Sequence, residues 1–121
     1  MSEEQAIERD VMEFDLIVVG AGPAGLSCAI HAKQLNPEAN ICVLEKGATV
    51  GAHSLAGAVI EPEALDALLP NWKDNPPEVC VPVKRDEIRM MSPSGSFKFP
   101  MVPPQMNNHG NYIISLGSLT A

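Results

Sequence analysis

The spacing of apolar and polar positions changes character at definite points along the chain. Residues 15–19 run without polar alternation, as a strand buried on both faces of a parallel sheet does. Pro23 to Leu35 follows with helical spacing: Gly25, Ala29 and Ala32 share one narrow face while Lys33 and Gln34 share the other. Asn36-Pro37 stops that helix, because the residue before proline avoids the α region. Residues 40–44 repeat the apolar run and end at Glu45. Strand, helix and strand at this spacing predict a right-handed parallel crossover.

Between the first strand and the helix lies Gly20-Ala-Gly-Pro-Ala-Gly25, with Pro23 at the first helical position. A buried strand that enters a glycine turn and then a helix presents bare N–H groups at a positive helix end, which suits a diphosphate. Glu45 follows Gly25 by about twenty residues, the distance at which such sites aim a carboxylate at a ribose hydroxyl. A tight turn needing glycine for sterics alone leaves Glu45 unexplained. The pattern therefore predicts a dinucleotide site. Glu45 argues against a 2′-phosphorylated nucleotide, since two anions would meet there, and Lys46 points to the opposite side of the strand. FAD and NAD share this fingerprint. The uncharged, small-residue stretch Gly51-Ala-His-Ser-Leu-Ala-Gly-Ala58 favours FAD, because glycine and alanine let an extended backbone pass alongside a flavin. A flexible surface loop is the plainer reading of the same stretch.

Further along, Pro62 to Leu69 reads as a short helix with Leu65, Leu68 and Leu69 on one side and Glu61 and Glu63 near its N-terminus. Residues 71–77 read as a linker. Cys80 to Val83 and Glu87 to Met91 read as strands, and Ser92-Pro-Ser-Gly95 as a turn folding residues 88–91 onto Phe97-Lys-Phe99. Pro100 to Gln105 reads as an extended loop, and a helix is expected to begin near Ile113. His53 is expected to be a plain hydrogen-bonding loop residue, and His31 and His109 structural ones. Trp72 is expected to be a lid over the short helix or an interfacial anchor.

Composition narrows the setting. The 121 residues carry 15 Asp and Glu against 8 Lys and Arg, a net charge of −7, with no basic block, which argues against nucleic acid. Cys28, Cys42 and Cys80 have no metal-type spacing and are expected to be reduced core or near-core thiols. The acidic start has no apolar run of signal type and no Arg-rich transit character. No run approaches the roughly 20 apolar residues that span a bilayer.

The fold class expected is α/β: an FAD/NAD(P)-binding, Rossmann-like parallel sheet, incomplete in this chain, with an antiparallel hairpin excursion. Residues 1–13 read as a polar lead-in. Residues 14–121 read as the N-terminal part of an FAD-binding domain truncated at its C-terminal end, for want of a third parallel strand.

Four blocks in order, Gly20-Ala-Gly-Pro-Ala-Gly-Leu-Ser27, Leu44-Glu-Lys46, Gly51 to Ala58 and Asn107-Asn-His-Gly-Asn-Tyr-Ile113, resemble the N-terminal portion of the electron transfer flavoprotein–ubiquinone oxidoreductase family. The resemblance covers nearly all of this chain and a minor part of the family's length. It implies electron flow from reduced electron transfer flavoprotein to ubiquinone through FAD and a [4Fe-4S] cluster. It implies Gly20, Ala21, Gly22, Pro23, Ala24 and Gly25 at the diphosphate and Glu45 at the ribose, with Val19 and Lys46 flanking them. It also implies the Gly51 block, with His53, Ser54 and Gly57, beside the flavin. The family's cluster cysteines match none of those here. The family lies on a membrane without crossing it, and residues 51–69 resemble one of its membrane-contacting segments; core packing of the same leucines is the alternative. The cytoplasmic face of a bacterial inner membrane is the expected location. No catalytic acid, base or nucleophile is identified, and this piece alone is expected to be inactive. Two other readings stay open: a non-catalytic nucleotide-binding module, and another FAD enzyme such as a monooxygenase or an isoprenoid-chain reductase.

Overall fold

The structure, a computed structural model, describes residues 10–121, so most of the expected lead-in lies outside the described residues. Strand β1 (Leu16–Val19) pairs in parallel with β2 (Ile41–Leu44), joined by helix α1 (Pro23–Leu35). The register sets Leu16 opposite Ile41 and Val19 opposite Leu44. The bond from Gly20 N–H to Leu44 O (2.7 Å) carries the ladder one residue into the glycine turn. At the far end, Asp15 accepts from Asn40 N–H (2.8 Å) and closes the pair.

The two strands are not buried on both faces. Leu16 and Val18 are partly covered, and Val18 lies toward α1, but Ile17 and Val19 face water, Val19 at 83% exposure. The unalternating run belongs to a parallel strand, yet one face of it is largely exposed among the described residues.

A second sheet orders three strands as β3 (Gly57–Ile60), β7 (Tyr112–Ser115) and β4 (Cys80–Pro82), both pairings antiparallel to the central β7. Two expectations are corrected here. Residues 57–60 form a strand, which rules out the plainer reading of a flexible loop at the end of the small-residue stretch, and residues 112–115 form a strand where a helix is expected to begin. Tyr112-Ile-Ile-Ser115 is β-branched and aromatic, and pairing on both edges holds it extended. Helix α3 (Leu116–Thr120) starts only afterwards, with Ser115 Oγ accepting from Ser118 N–H at its cap. Ile114, at the middle of this sheet, is the most deeply buried large side chain, at 1%.

Helix α2 (Pro62–Leu68) packs across α1, and a 3₁₀ turn at Trp72–Asp74 closes over it. Trp72 is 8% exposed; its Nε1–H donates to Asp66 (2.6 Å), and its ring meets Tyr112 edge-on at 5.3 Å. The lid reading of Trp72 therefore holds. Among the cysteines, Cys28 is exposed on α1, contrary to expectation, while Cys42 and Cys80 are half-buried. Helical phase does not account for this, since Cys28 stands three residues after Gly25 and four before Ala32, on the edge of the same stripe; the described residues simply leave it uncovered.

Strands β5 (Arg89–Ser92) and β6 (Gly95–Lys98) form the expected hairpin, closed at Pro93-Ser94. The register pairs Arg89 with Lys98 and Met90 with Phe97, so one face is charged and the other apolar. Glu87 binds Arg89 and Lys98 together, the latter at 2.9 Å. These cations hold its carboxyl down at about 2, Lys98 first and Arg89 next. A carboxylate depressed in the fold stabilises above its unfolded value of 4.5 and loses that contribution as pH falls toward 2. In the full-length protein, Glu87→Gln is expected to lower stability at neutral pH, modestly because the pair is solvent-accessible. The gap from wild type should close as pH falls from 4.5 to 2, read by urea denaturation across that window.

Candidate dinucleotide site

The site is built where β1 ends. Gly20 holds φ +98°, a left-handed conformation that favours glycine, and turns the chain away from the sheet. Gly22 is then the N-cap of α1 in extended conformation, with Pro23 at the first helical position. The first intrahelical bond runs from Leu26 N–H to Gly22 O (2.9 Å), so the N–H groups of Ala24 and Gly25 have no partner within the helix. No acidic side chain occupies the first turn to compete for the positive helix end.

Gly25 sets how closely α1 approaches the sheet. A Cβ at this position would lie 1.9 Å from Gly20 O and 3.3 Å from Val18 Cγ1. At Gly22, in contrast, an added Cβ meets no atom within 4 Å. The third glycine thus serves packing between helix and strand, and the middle one keeps a space open on the ligand side. That combination fits a phosphate group brought against the turn.

Glu45, just past β2, is half-buried and reaches back to this turn. Its Oε2 accepts from Ala21 N–H (2.9 Å) and its Oε1 from Gly47 N–H (2.6 Å). The Gly47 N–H and then the Ala21 N–H lower its pKa, so the group is an anion at neutral pH. Lys46 is exposed. His53 lies in the adjoining turn, its Cε1 within 3.4 Å of a Cβ placed on Gly47, and its charged form would favour the Glu45 anion.

The structure thus brings together Gly20, Ala21, Gly22, Pro23, Ala24, Gly25 and Glu45, with Val19 beside them at the end of β1 and His53 next to Gly47. The Gly51 block is placed differently from an extended passage. Residues 49–53 turn, and Gly51 sits at φ +81° against α3, where a Cβ would lie 2.7 Å from Gly117 O and 2.8 Å from Thr120 Oγ1. Ser54 N–H closes that turn onto Gly51 O (2.9 Å), and Gly57 opens β3 beside Ser115. The glycine at 51 is accounted for by the close contact with α3.

Sequence reasoning missed Gly47, whose N–H shares the Glu45 carboxylate. The Glu-Lys-Gly order was the available sign, since a glycine two residues past the acid lets the main chain fold back onto it. The clasp of Asp86 on Asn108 was also missed: Asp86 accepts from Asn108 N–H and Nδ2, both at 2.9 Å, and fixes the 107–111 turn. Among the described residues no three His, Cys, Asp or Glu side chains are grouped to hold a metal.

The Thi4 family profile matches residues 3–64, just over half of the chain. Over 118 residues the chain is 53% identical to a probable electron transfer flavoprotein-ubiquinone oxidoreductase, mitochondrial, of Schizosaccharomyces pombe, covering 94% of this chain and 18% of that protein. It is 51% identical over 121 residues to the probable electron transfer flavoprotein-ubiquinone oxidoreductase of Acinetobacter baylyi, 93% of this chain and 21% of that one. The mitochondrial electron transfer flavoprotein-ubiquinone oxidoreductase of Rattus norvegicus is 42% identical over 120 residues, 95% of this chain and 20% of that one. The chain spans about a fifth of the length of these curated relatives.

The two glycines separate in a stability measurement. Gly25→Ala is expected to cost at least about 2 kcal/mol, since its Cβ meets main chain that cannot yield. Gly22→Ala should stay within about 1 kcal/mol of wild type, the usual difference at an N-cap. Urea denaturation of the ligand-free full-length protein checks both.

Proposed function

The chain belongs to the Thi4 family, and on that premise we propose that it is the FAD-binding portion of an oxidoreductase passing electrons from reduced electron transfer flavoprotein to ubiquinone. The observation that carries the reading is the cradle itself: a positive-φ glycine, an open N-cap glycine and an unpartnered helix start, faced by an ionised carboxylate at the end of β2. Gly20, Gly22, Pro23, Ala24 and Gly25 would receive the diphosphate, and Glu45 the adenosine ribose. Val19 and Lys46 flank this end. His53, Ser54, Gly51 and Gly57 belong to the flavin side in this reading. FAD, when bound, supplies the redox chemistry; a [4Fe-4S] cluster in the whole protein would be held outside these residues.

This chain's own contribution is to binding and placement. The turn supplies N–H donors to the anionic diphosphate without desolvating a cation. Glu45 stays ionised, so it can accept from ribose hydroxyls and repels a 2′-phosphate, which selects a nucleotide without one. The contact of Gly51 with α3 carries the 47–54 turn on the second sheet, so both sheets contribute to one site.

The surface reading is a monotopic one, and exposure favours the hairpin over residues 51–69 as the part that meets a membrane. Leu65 and Leu68 line the groove toward α1 and Trp72, which leaves Leu55 and a few others of that segment in water. Met90 and Phe97 stand exposed on the apolar face of the hairpin, and Phe99 meets Phe97 edge-on beside them. No helix among the described residues is long and apolar enough to cross a membrane. The cytoplasmic face of a bacterial inner membrane accords with this placement.

Purified full-length protein is expected to carry FAD stoichiometrically, and to reduce a ubiquinone analogue when reduced electron transfer flavoprotein is supplied. Turnover driven by NAD(P)H with no response to that flavoprotein would favour another FAD enzyme instead. Gly22→Ala should weaken FAD binding by roughly tenfold or more without unfolding the protein, because its Cβ enters the ligand space. Paired Met90→Ser and Phe97→Ser changes should lower cosedimentation with phospholipid vesicles while leaving FAD content unchanged.

A further inference from the structure

Glu45 does more in this structure than wait for a ribose. Ala21 is 2% exposed, and its N–H is the first main-chain donor beyond the last ladder bond, that of Gly20 to Leu44. A buried N–H without an acceptor is costly, and the acceptor it finds is Glu45 Oε2 at 2.9 Å. The other oxygen of the same carboxylate takes Gly47 N–H at 2.6 Å. One side chain thereby ties the glycine turn to the turn that follows β2, across 24 positions of sequence.

We infer that Glu45 is a positioning residue for the phosphate turn, holding Ala21 and Gly47 in place whether or not a ribose is bound. This inference rests on the dinucleotide reading of the same site. The two roles are compatible by acceptor count. A carboxylate offers about four lone-pair positions on two oxygens, main-chain N–H groups use two of them, and two remain for a vicinal diol. An amide in the same place would be less able to do this. Glutamine has one acceptor oxygen, so its NH₂ would face one of the two N–H donors. The turn would then lose an anchor even for a ligand that makes no ribose contact.

The experiment compares wild type with Glu45→Gln in the full-length protein, using FAD and an FAD that lacks the 2′- and 3′-hydroxyls of its adenosine ribose. A positioning role predicts that Glu45→Gln weakens both ligands by a similar factor, about tenfold or more for a lost bond to a charged group. It also predicts faster amide hydrogen exchange in the ligand-free variant, confined to segments 20–26 and 45–47. A loss with FAD that vanishes with the dihydroxy-deleted ligand, together with unchanged exchange, overturns the inference and leaves Glu45 a ribose ligand alone. A wild-type protein that binds neither ligand overturns the dinucleotide reading itself. If Glu45→Gln does not yield folded protein, Glu45→Asp is read against the same outcomes. It keeps the charge but is one methylene too short to span both N–H groups.

Discussion

The contact between Gly25 and the carbonyl oxygen of Gly20 is the constraint on which the unit of β1, α1 and β2 depends. A helix can start immediately after a strand only if the turning main chain and the incoming first turn share nearly the same space. Here the carbonyl of Gly20 occupies the place a side chain of residue 25 would need. The helix axis is thereby drawn close to β1, with Val18 against its first turn. The free N–H groups of that turn are consequently presented at the strand end, where the positive helix end can act on an anion.

Electrostatics completes what this contact begins. The turn has no acidic group of its own, and the anion beside it, Glu45, is satisfied by main-chain N–H groups on two sides. Those donors keep it ionised and hold it at the border of the cradle. A neighbouring layer then supports the border. Gly51, which carries no side chain to intrude, lets the 47–54 turn rest on α3, and α3 continues directly from β7 at the middle of the antiparallel sheet. The two sheets share no ladder and are joined by this contact together with the packing of α2 and α3 on α1.

Much of the outer plan was legible. The parallel pair, α1 with both its ends, α2 and the hairpin turn at Pro93-Ser94 were all readable, because each follows from local rules: period, proline, glycine and cap chemistry. The turn at Gly20 to Gly25 and an acid after the second strand were readable for the same reason, since glycine and proline encode a strand end and a helix start. Residues 112–115 were not. Their pattern fits a strand or a helix start equally well, and pairing with β3 and β4, at least 30 residues distant, decides between them. Cys28 was misplaced because helical spacing puts it on the stripe of Gly25, Ala29 and Ala32, while only the packed structure shows how much of that stripe is covered.

By itself, then, the sequence determined the local geometry of the turn after β1, since backbone freedom at Gly20 and the absent side chains at Gly22 and Gly25 are properties of those residues wherever they stand. It also determined that an acid would end the second strand. Tertiary structure decided what that acid does. Only folding brings Ala21 and Gly47 within hydrogen-bonding distance of the two Glu45 oxygens, and only folding turns Gly51 from a loop residue into the contact surface for α3. Hydrogen bonds and close packing are set by positions in space, and residues far apart in the chain acquire those positions only when the sheets are assembled.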